Sequence, residues 1–327
     1  MNSPAVRFLT WFVAAFCALA FACTEEDAGS ISILLEPETT ILDGILPGDD
    51  VEHIRDGWEV RFDKYVAVVG DVLLKRSNDQ QVTAQDRTIY AVDLHTLPAN
   101  GITLWGIEDL ASVRWDFTYA LSGGIHGALQ HESVSDSDFH DIVDHDWSYL
   151  IEGSIINVQG VTCPPPDVAE PGSIQSTEER RGVPCYPNPE ISFRFALTAE
   201  TLYGPCEIDG VPGVAVPSGG TASVAISIHG DHVFFNGFPE GSEGGVMRLA
   251  QWLADSDLNL DGQVSQQELE SITPSDLVHI DERYQLGGSP LTLDTMWDYV
   301  ASQLKTQGHY QGEGECPADG LAHNHSH

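Results

Sequence analysis

The strongest constraint on the fold is a run of strict two-residue alternation in the first half of the chain. Val113, Trp115, Phe117, Tyr119 and Leu121 are each separated by one smaller or more polar residue. Successive side chains of a β-strand point to opposite faces of a sheet, so this spacing predicts a strand with one face buried in an apolar core. The chain is therefore expected to contain at least one β-sheet.

Further segments have the same period or are rich in sheet-forming residues, and turn signals separate them without a long intervening helix. This organisation predicts an antiparallel β-sandwich or open barrel of about eight strands. The segments are 31–35, 58–62, 65–75, 88–94, 147–158, 191–197, 214–216 and 222–235.

After residue 241 the apolar period changes from two residues to that of an α-helix, which predicts three helices. The third is the best marked, with Ser289 as N-cap, Pro290 at its first position and Gly308 as its terminator. The apolar positions are Val246, Leu249, Ala250 and Leu253 in the first helix, Leu269 and Ile272 in the second, and Leu293, Met296, Trp297, Val300 and Leu304 in the third.

Between the first two of these helices, residues 257–268 place oxygen-bearing side chains at positions 1, 3, 5, 9 and 12 of a twelve-residue stretch. Ca²⁺ takes about six to eight oxygen ligands, and a short loop can supply them by turning its side chains inward. The predicted ligands are the side chains of Asp257, Asn259 and Asp261, the main-chain carbonyl of Gln263, Ser265 through a water molecule, and both carboxylate oxygens of Glu268.

This pattern, with Gly262 at the sharp turn and Val264 as the apolar anchor, resembles the calcium loop of the EF-hand family. The Asp-Leu-Asn-Leu-Asp-Gly run is also similar to cellulosome-type dockerins. Both usually carry two such loops, whereas this chain contains one. The resemblance implies a helix–loop–helix that binds calcium with the affinity of extracellular modules, roughly 10⁻⁴ to 10⁻³ M.

An alternative without metal is a turn followed by a helix whose capping box is formed by Ser265 and Glu268. It leaves unexplained the alternation of Asp257, Asn259 and Asp261, because clustered carboxylates repel one another unless a cation lies between them.

Together these patterns predict a mainly β protein with a C-terminal α segment, which is an α+β fold. The predicted divisions are a signal peptide at 1–22, an acidic tether at 23–30, a β-sandwich-like domain at 31–240, an EF-hand with one further helix at 241–316, and a His-rich tail at 317–327.

The N-terminus predicts export. Arg7 precedes an apolar run that ends in Ala20 and Ala22, directly before Cys23. This site resembles a bacterial lipobox, although that motif prefers Leu where this chain has Ala20. The resemblance implies a lipoprotein of the cell envelope, held to the outer membrane or the periplasmic face through Cys23. Secretion is the alternative if Cys23 carries no lipid.

The cysteine count agrees with an exported lipoprotein. Cys17 leaves with the signal peptide and lipidation uses Cys23, so an even number remains for disulfides. Several pairings are open. We favour one disulfide across the Pro-rich segment 162–189, predicted to be a loop, and one that ties the C-terminal tail to a strand end. The favoured pairs are Cys163 with Cys185 and Cys206 with Cys316.

A second candidate metal site is His229-Gly-Asp231-His232 at the end of a predicted strand. These side chains would bind zinc or copper if a third ligand came near in the fold. The alternative is a polar turn whose histidines hydrogen-bond to the backbone. The candidates for the third ligand are His126, His131 and His309.

Two other groups of histidines have metal-binding alternatives. A helix over 136–145, capped by Ser135 or Asp136, would place His140 and Asp144 on one face, which is more often a solvated surface than a metal site. The tail would chelate metal adventitiously, through His323, His325 and His327.

The net charge of −36 argues against binding to nucleic acid, and a membrane is expected to be contacted only through the lipid. The sequence has no nucleophile elbow, zinc-protease motif or phosphate loop, so we expect no enzyme. The expected function is calcium binding with a mainly structural role. The alternatives are a periplasmic zinc- or copper-binding protein that uses His229 and His232, and a calcium-dependent adhesion or scaffold module with an unidentified protein partner.

Overall fold

The computed structural model describes residues 27–238, 245–277 and 284–318 of the chain. The predicted signal peptide, Cys23 and the three tail histidines lie outside these residues. The described part is mainly β, with few and short helices. No helix within the described ranges is long and apolar enough to cross a membrane.

The elements are numbered in chain order. The strands are β1 (Gly29–Pro37), β2 (Glu59–Arg76), β3 (Asp79–Asp93), β4 (Ile102–Leu110), β5 (Arg114–Leu121), β6 (Leu129–Gln130), β7 (Tyr149–Ile156), β8 (Val161–Thr162), β9 (Glu178–Arg180), β10 (Val183–Pro187), β11 (Glu190–Leu197), β12 (Thr201–Ile208), β13 (Val211–Pro212), β14 (Val214–Ala215), β15 (Thr221–Ile228), β16 (Gln263–Val264) and β17 (Gly308–Tyr310). The α-helices are α1 (Thr39–Asp43), α2 (Asp136–His145), α3 (Gln251–Ala254), α4 (Gln266–Glu270) and α5 (Met296–Leu304), and short 3₁₀ helices span Leu94–Thr96, Gly124–His126 and Gly230–Phe234.

The larger sheet has ten strands and is curled, and β2 is its longest strand. Its main path runs β13-β12-β5-β2-β7-β11-β16, with β14 on β5, β3 on β2 and β6 on β3. Both faces of β2 are covered near its middle. Ala67 and Val69 belong to the main core, whereas Val66 and Val68 pack in a second cluster with Ile142 of α2.

The smaller sheet has four strands in the order β17-β15-β1-β4. β1 runs parallel to β15, which corrects the expectation of purely antiparallel pairing. β11 with β16 and β3 with β6 are also parallel. The long chain between β1 and β15 permits this pairing, which a short hairpin could not make. Because Pro37 lies beside Ile228, the residues that follow the two strands leave the sheet at the same edge.

The main core contains side chains from both sheets and from the helical segment near the C-terminus. A chain of aromatic contacts joins the larger sheet to this helical segment. The ring of Phe193 lies 6.1 Å from that of Phe234, Phe234 lies 6.5 Å from Trp252, and Trp252 lies 5.7 Å from Tyr299. The segment that carries the predicted calcium loop is therefore packed directly on the β-sheets.

The first predicted helix is shorter than its apolar stripe, since only α3 is helical. The preceding backbone pairs with another segment instead, as Asn236 N donates to Met247 O (2.9 Å) and Leu249 N donates to Phe234 O (2.7 Å). The helix begins where Asp56 Oδ2 accepts the amides of Ala250 (2.9 Å) and Gln251 (2.8 Å).

The third predicted helix also starts later than expected. Thr295, not Ser289, is the N-cap of α5, and it forms a capping box with Asp298. Ser289 Oγ instead donates to Leu291 O (2.5 Å) in a turn. Gly308 is not the terminator, because α5 ends at Leu304 and Gly308 begins β17.

Several strands were missing from the prediction. β12 contains the Gly204-Pro205 pair, which is typical of a turn, and its pairing with β5 shifts register between Tyr203 and Cys206. Proline is tolerated at such an irregularity because no ladder hydrogen bond needs its nitrogen. The segment 162–189 is not only a loop, since β8, β10 and β9 form a three-stranded sheet there.

Both favoured disulfides are present. Cys163 is bonded to Cys185, and Cys206 is bonded to Cys316 across a separation of 110 residues. The second disulfide fastens the end of the described chain to β12. It therefore also restrains β17, which contacts β12 and precedes Cys316 in the chain.

Candidate metal sites

The first residue of the predicted calcium loop is buried and held in place by several donors. Asp257 is 0% exposed. Its Oδ2 accepts hydrogen bonds from Gly262 N (3.0 Å) and from Asn188 Nδ2 (2.8 Å), and its Oδ1 accepts one from Asp261 N (3.2 Å). The loop is thus folded back onto its own beginning.

The next two ligand positions bend the chain in the same direction. Asn259 Oδ1 accepts from Asp261 N (2.8 Å), and Asp261 Oδ1 accepts from Gln263 N (2.9 Å). Gly262 has a φ of 81°, a backbone conformation that side chains with a Cβ rarely adopt. This explains why a glycine occupies the sixth position of the loop.

Glu268 closes the loop from its other end. Its Oε1 accepts from Leu258 N (3.0 Å), beside the first ligand, and its Oε2 accepts from Ser265 N (2.8 Å) and Ser265 Oγ (2.7 Å). The capping box of the metal-free interpretation is therefore present. The bond to Leu258 is an additional contact that this capping box does not require.

The middle of the predicted calcium loop pairs with a strand of the larger sheet. Gln263 and Val264 form β16, which pairs in parallel with Ser192 and Phe193 of β11. Ser192 N donates to Gly262 O (2.9 Å), and the side chain of Val264 is 2% exposed. The predicted calcium loop is therefore joined to the larger sheet by backbone pairing.

The loop concentrates negative charge. Burial raises the pKa of Asp257 to about 6, and the neighbouring Glu268 and Asp261 carboxylates act in the same direction. Hydrogen bonds from Gly262 and Asn188 oppose the shift. A bound cation would remove the repulsion that these carboxylates exert on one another.

The second candidate site lies at the edge where β1 and β15 both end. His229 follows β15, and Asp231 and His232 lie in the 3₁₀ helix after it. His309 lies in β17, and one ring nitrogen from each of the three histidines is within 4.8 Å of those of the other two. Of the three candidates for the third ligand, His309 is therefore the one that lies close to His229 and His232.

The other two candidates lie elsewhere. His126 Nε2 is 2.8 Å from Glu200 Oε1, and His131 Nδ1 is 2.9 Å from Ser133 Oγ. On α2, His140 Nδ1 bonds to Asp136 O (2.6 Å), and His140 and Asp144 are both exposed. Their arrangement fits the solvated surface, and Ser135 is the N-cap of that helix.

Two carboxylates adjoin the histidine cluster. Glu38, His229 and Asp231 also bring one ligand atom each within 4.8 Å of one another. Asp231 is 1% exposed, and its Oδ2 accepts from Arg248 Nε (2.6 Å) and Nη2 (2.5 Å). Among the described residues, these are the groups of three or more His, Cys, Asp or Glu side chains with that spacing, and neither includes a residue of the calcium loop.

Two of the three imidazoles are hydrogen-bonded to other residues of the chain. His229 Nε2 lies 3.1 Å from Gly312 O, and His232 Nδ1 lies 2.9 Å from Thr306 Oγ1. The rings of His229 and His309 are stacked with centroids 3.9 Å apart, and His232 lies edge-on to His309 at 5.1 Å. The three rings thus form one compact cluster.

The electrostatics of this cluster follow from burial. Burial lowers the pKa of His232 and of His309; His229 lowers the pKa of both further, and His232 also lowers that of His309. Burial and the charge of Asp231 raise the pKa of Glu38 to about 8. The His232 and His309 imidazoles are therefore neutral at pH 7, which is the form that binds metal ions.

Some residues of both sites were not predicted. Asn188 reaches Asp257 from the Pro-rich segment, and Glu38 and Arg248 complete the surroundings of Asp231. Each is distant in sequence from the motif that it contacts, so no local spacing could have identified it. His309 lies in a Gly-x-x-x-Gly segment, from Gly308 to Gly312, which by itself does not indicate a metal ligand.

Comparisons with known proteins found no matching family model, no matching curated protein and no matching solved structure. The resemblance to the EF-hand family therefore rests on residues 257–268 alone.

Proposed function

We propose that this protein is exported and binds one calcium ion in the loop 257–268. The observation that carries the proposal is the contact of Glu268 Oε1 with Leu258 N at 3.0 Å, which brings the last ligand of the loop back to the first. The capping box alone needs only the hydrogen bonds between Glu268 and Ser265. The oxygen-only ligand set is the one that calcium prefers.

The proposed role of calcium is structural. The loop joins α3, which carries Trp252 of the core, to α4, and its middle adds β16 to the larger sheet. A cation among Asp257, Asp261 and Glu268 would hold these three elements together. A ligand at about ten times its dissociation constant adds about 1.4 kcal/mol to the free energy of unfolding.

The exported setting is supported by the disulfides. Cys163–Cys185 and Cys206–Cys316 are both formed, and disulfides persist in oxidising compartments. Attachment to the cell envelope through Cys23 is part of the same proposal. Mass spectrometry of the mature N-terminus would detect the lipid on Cys23, whereas an unmodified cysteine there would limit the proposal to secretion.

Equilibrium dialysis against radioactive calcium tests the proposed site. The unmodified protein is expected to bind one calcium ion per chain at roughly 10⁻⁴ to 10⁻³ M. Asp257→Asn should abolish this binding, because it removes a buried charged ligand. Asp144→Asn on the exposed face of α2 is the matched control and should bind calcium normally. Equal binding by the unmodified protein and Asp257→Asn would refute the proposal.

A further inference from the structure

We propose that His229, His232 and His309 form a second metal site that takes a divalent transition-metal ion, zinc above all, with the carboxyl groups of Glu38 and Asp231 beside His229. This inference is independent of the calcium loop. It rests on two groups of three ligand atoms that share His229, on hydrogen bonds that leave ring nitrogens free, and on buried polar atoms without a partner.

The convergence is produced by the smaller sheet. The parallel pairing of β1 with β15 places Pro37 beside Ile228, so Glu38 and His229 follow the two strands at the same edge. On the other side of β15, β17 pairs His309 with Ser227. His229 Nδ1 consequently lies 3.8 Å from Glu38 Oε2, while its ring stacks on that of His309. Three separate chain segments thus bring candidate ligands to the same edge of the smaller sheet, around His229.

The hydrogen bond of His232 assigns its proton. Thr306 Oγ1 donates its only hydrogen to Gln303 O (2.8 Å), so it must accept the hydrogen bond from His232 Nδ1. His232 Nε2 therefore carries the free electron pair. This is the arrangement of a metal ligand, whose second ring nitrogen usually donates to a protein acceptor.

His229 has the opposite arrangement with the same outcome. A backbone carbonyl can only accept, so His229 Nε2 donates its proton to Gly312 O. The free electron pair is on Nδ1, on the side of the ring that faces Glu38. Both histidines are thus held in the tautomer that leaves one nitrogen available for a metal ion.

Two buried polar atoms of the cluster have no hydrogen-bond partner. They are His309 Nδ1 and Asp231 Oδ1. Leaving a buried polar atom without a hydrogen-bond partner destabilises a fold. A metal ion would satisfy both kinds of atom, because a neutral imidazole nitrogen and a carboxylate oxygen are each metal ligands.

The ligand chemistry selects the class of metal. Neutral imidazoles with carboxylates suit zinc and copper(II), whereas calcium prefers a shell of oxygens. No cysteine belongs to the group of ligands found in the described residues, so the site lacks the soft thiolate that favours copper(I). Zinc accepts three histidines and a carboxylate in a tetrahedral arrangement. The two metal sites are therefore expected to bind different ions.

The test must first remove the tail as a source of histidines. We would use the full chain with His323, His325 and His327 replaced by alanine, in excess calcium so that the loop is filled. Equilibrium dialysis with zinc is expected to find one bound ion per chain. Cobalt(II) in place of zinc should give the intense visible absorption of a tetrahedral site with nitrogen ligands.

In this tail-substituted protein, His309→Gln should weaken zinc binding by more than about 100-fold, since loss of a direct ligand exceeds the 10- to 100-fold effect of outer-shell residues. His140→Ala on α2 is the matched control and should leave zinc binding unchanged. Asp257→Asn should also retain zinc, so failure of the calcium proposal would be recognised separately.

Loss of all zinc binding when the tail is substituted would show an adventitious ion only and overturn the inference. Unchanged zinc affinity in His309→Gln would do the same. If His309→Gln does not fold, the cobalt spectrum of the tail-substituted protein decides, because it needs no change in the core. A tetrahedral band supports the site, and the weak absorption of hydrated cobalt overturns it.

Discussion

The double role of Glu268 allows calcium binding to be separated from helix capping. Glu268→Gln keeps the size of the side chain but removes its charge and one of its two acceptor oxygens. Oε1 accepts from Leu258 N, and Oε2 accepts from Ser265 N and Ser265 Oγ. The NH₂ group of the new amide would therefore face a hydrogen-bond donor, from which it cannot accept a hydrogen bond. Loss of such a cap destabilises a protein by about 0.5 to 2 kcal/mol.

Asp298 provides a matched control, because it forms the capping box of α5 away from the calcium loop. Its Oδ2 accepts from Thr295 N (2.9 Å) and Thr295 Oγ1 (2.9 Å). Asp298→Asn should therefore lower the melting temperature by a similar amount to Glu268→Gln when calcium is removed with a chelator. Only Glu268→Gln should also lose the response to calcium.

The size of that response follows from mass action. With a dissociation constant of about 1 mM, 10 mM calcium adds about 1.4 kcal/mol to the free energy of unfolding. For a domain of 150 to 250 residues this corresponds to a rise in melting temperature of about 3 to 5 °C.

Calorimetric melting in calcium and in chelator measures the rise. We expect it in the unmodified protein and in Asp298→Asn, but not in Glu268→Gln. An equal rise in Glu268→Gln and in the unmodified protein would refute the assignment of Glu268 as a ligand.

Two further predictions follow from the loop and the disulfides. Burial raises the pKa of Asp257 to about 6, so the metal-free folded state holds a proton that the unfolded state releases above pH 4. Stability without calcium should therefore fall as pH rises from about 4 to 6, and calcium affinity should fall as pH drops below about 6, as melting curves and dialysis across this range would measure. Replacing Cys206 and Cys316 with serine opens a closed loop of 110 residues and should lower the free energy of unfolding by about 2 to 5 kcal/mol in urea titrations, and an unchanged midpoint would contradict this.

Local patterns predicted the parts of the fold in which the side chains of one segment determine the outcome. The apolar alternation from Val113 to Leu121 correctly predicted β5, because the large apolar side chains on one face of this strand pack in the core. The capping signal at Ser265 and the helix over 136–145 were also correct for local reasons. The late start of α5 had a local signal too, since Thr295 and Asp298 have the spacing of a capping box.

The remaining features depend on contacts between distant segments. The parallel pairing of β1 with β15 has no signature in either strand, yet it brings Glu38 to His229. The choice of His309 among three candidate ligands depends on where β17 pairs. The residues before α3 have the apolar period of a helix but form strand-like hydrogen bonds with residues 234–236. Their conformation is therefore determined by this tertiary contact and not by their own sequence pattern.

The most direct measurement of calcium binding is a crystal structure of the protein grown in calcium, with anomalous diffraction data collected to locate the ion. The proposal predicts an anomalous peak inside the loop, with oxygens of Asp257, Asp261 and Glu268 and the carbonyl of Gln263 at about 2.3 to 2.6 Å. A well-ordered loop without this peak at saturating calcium, with Glu268 bonded only to Ser265 and Leu258, would contradict it.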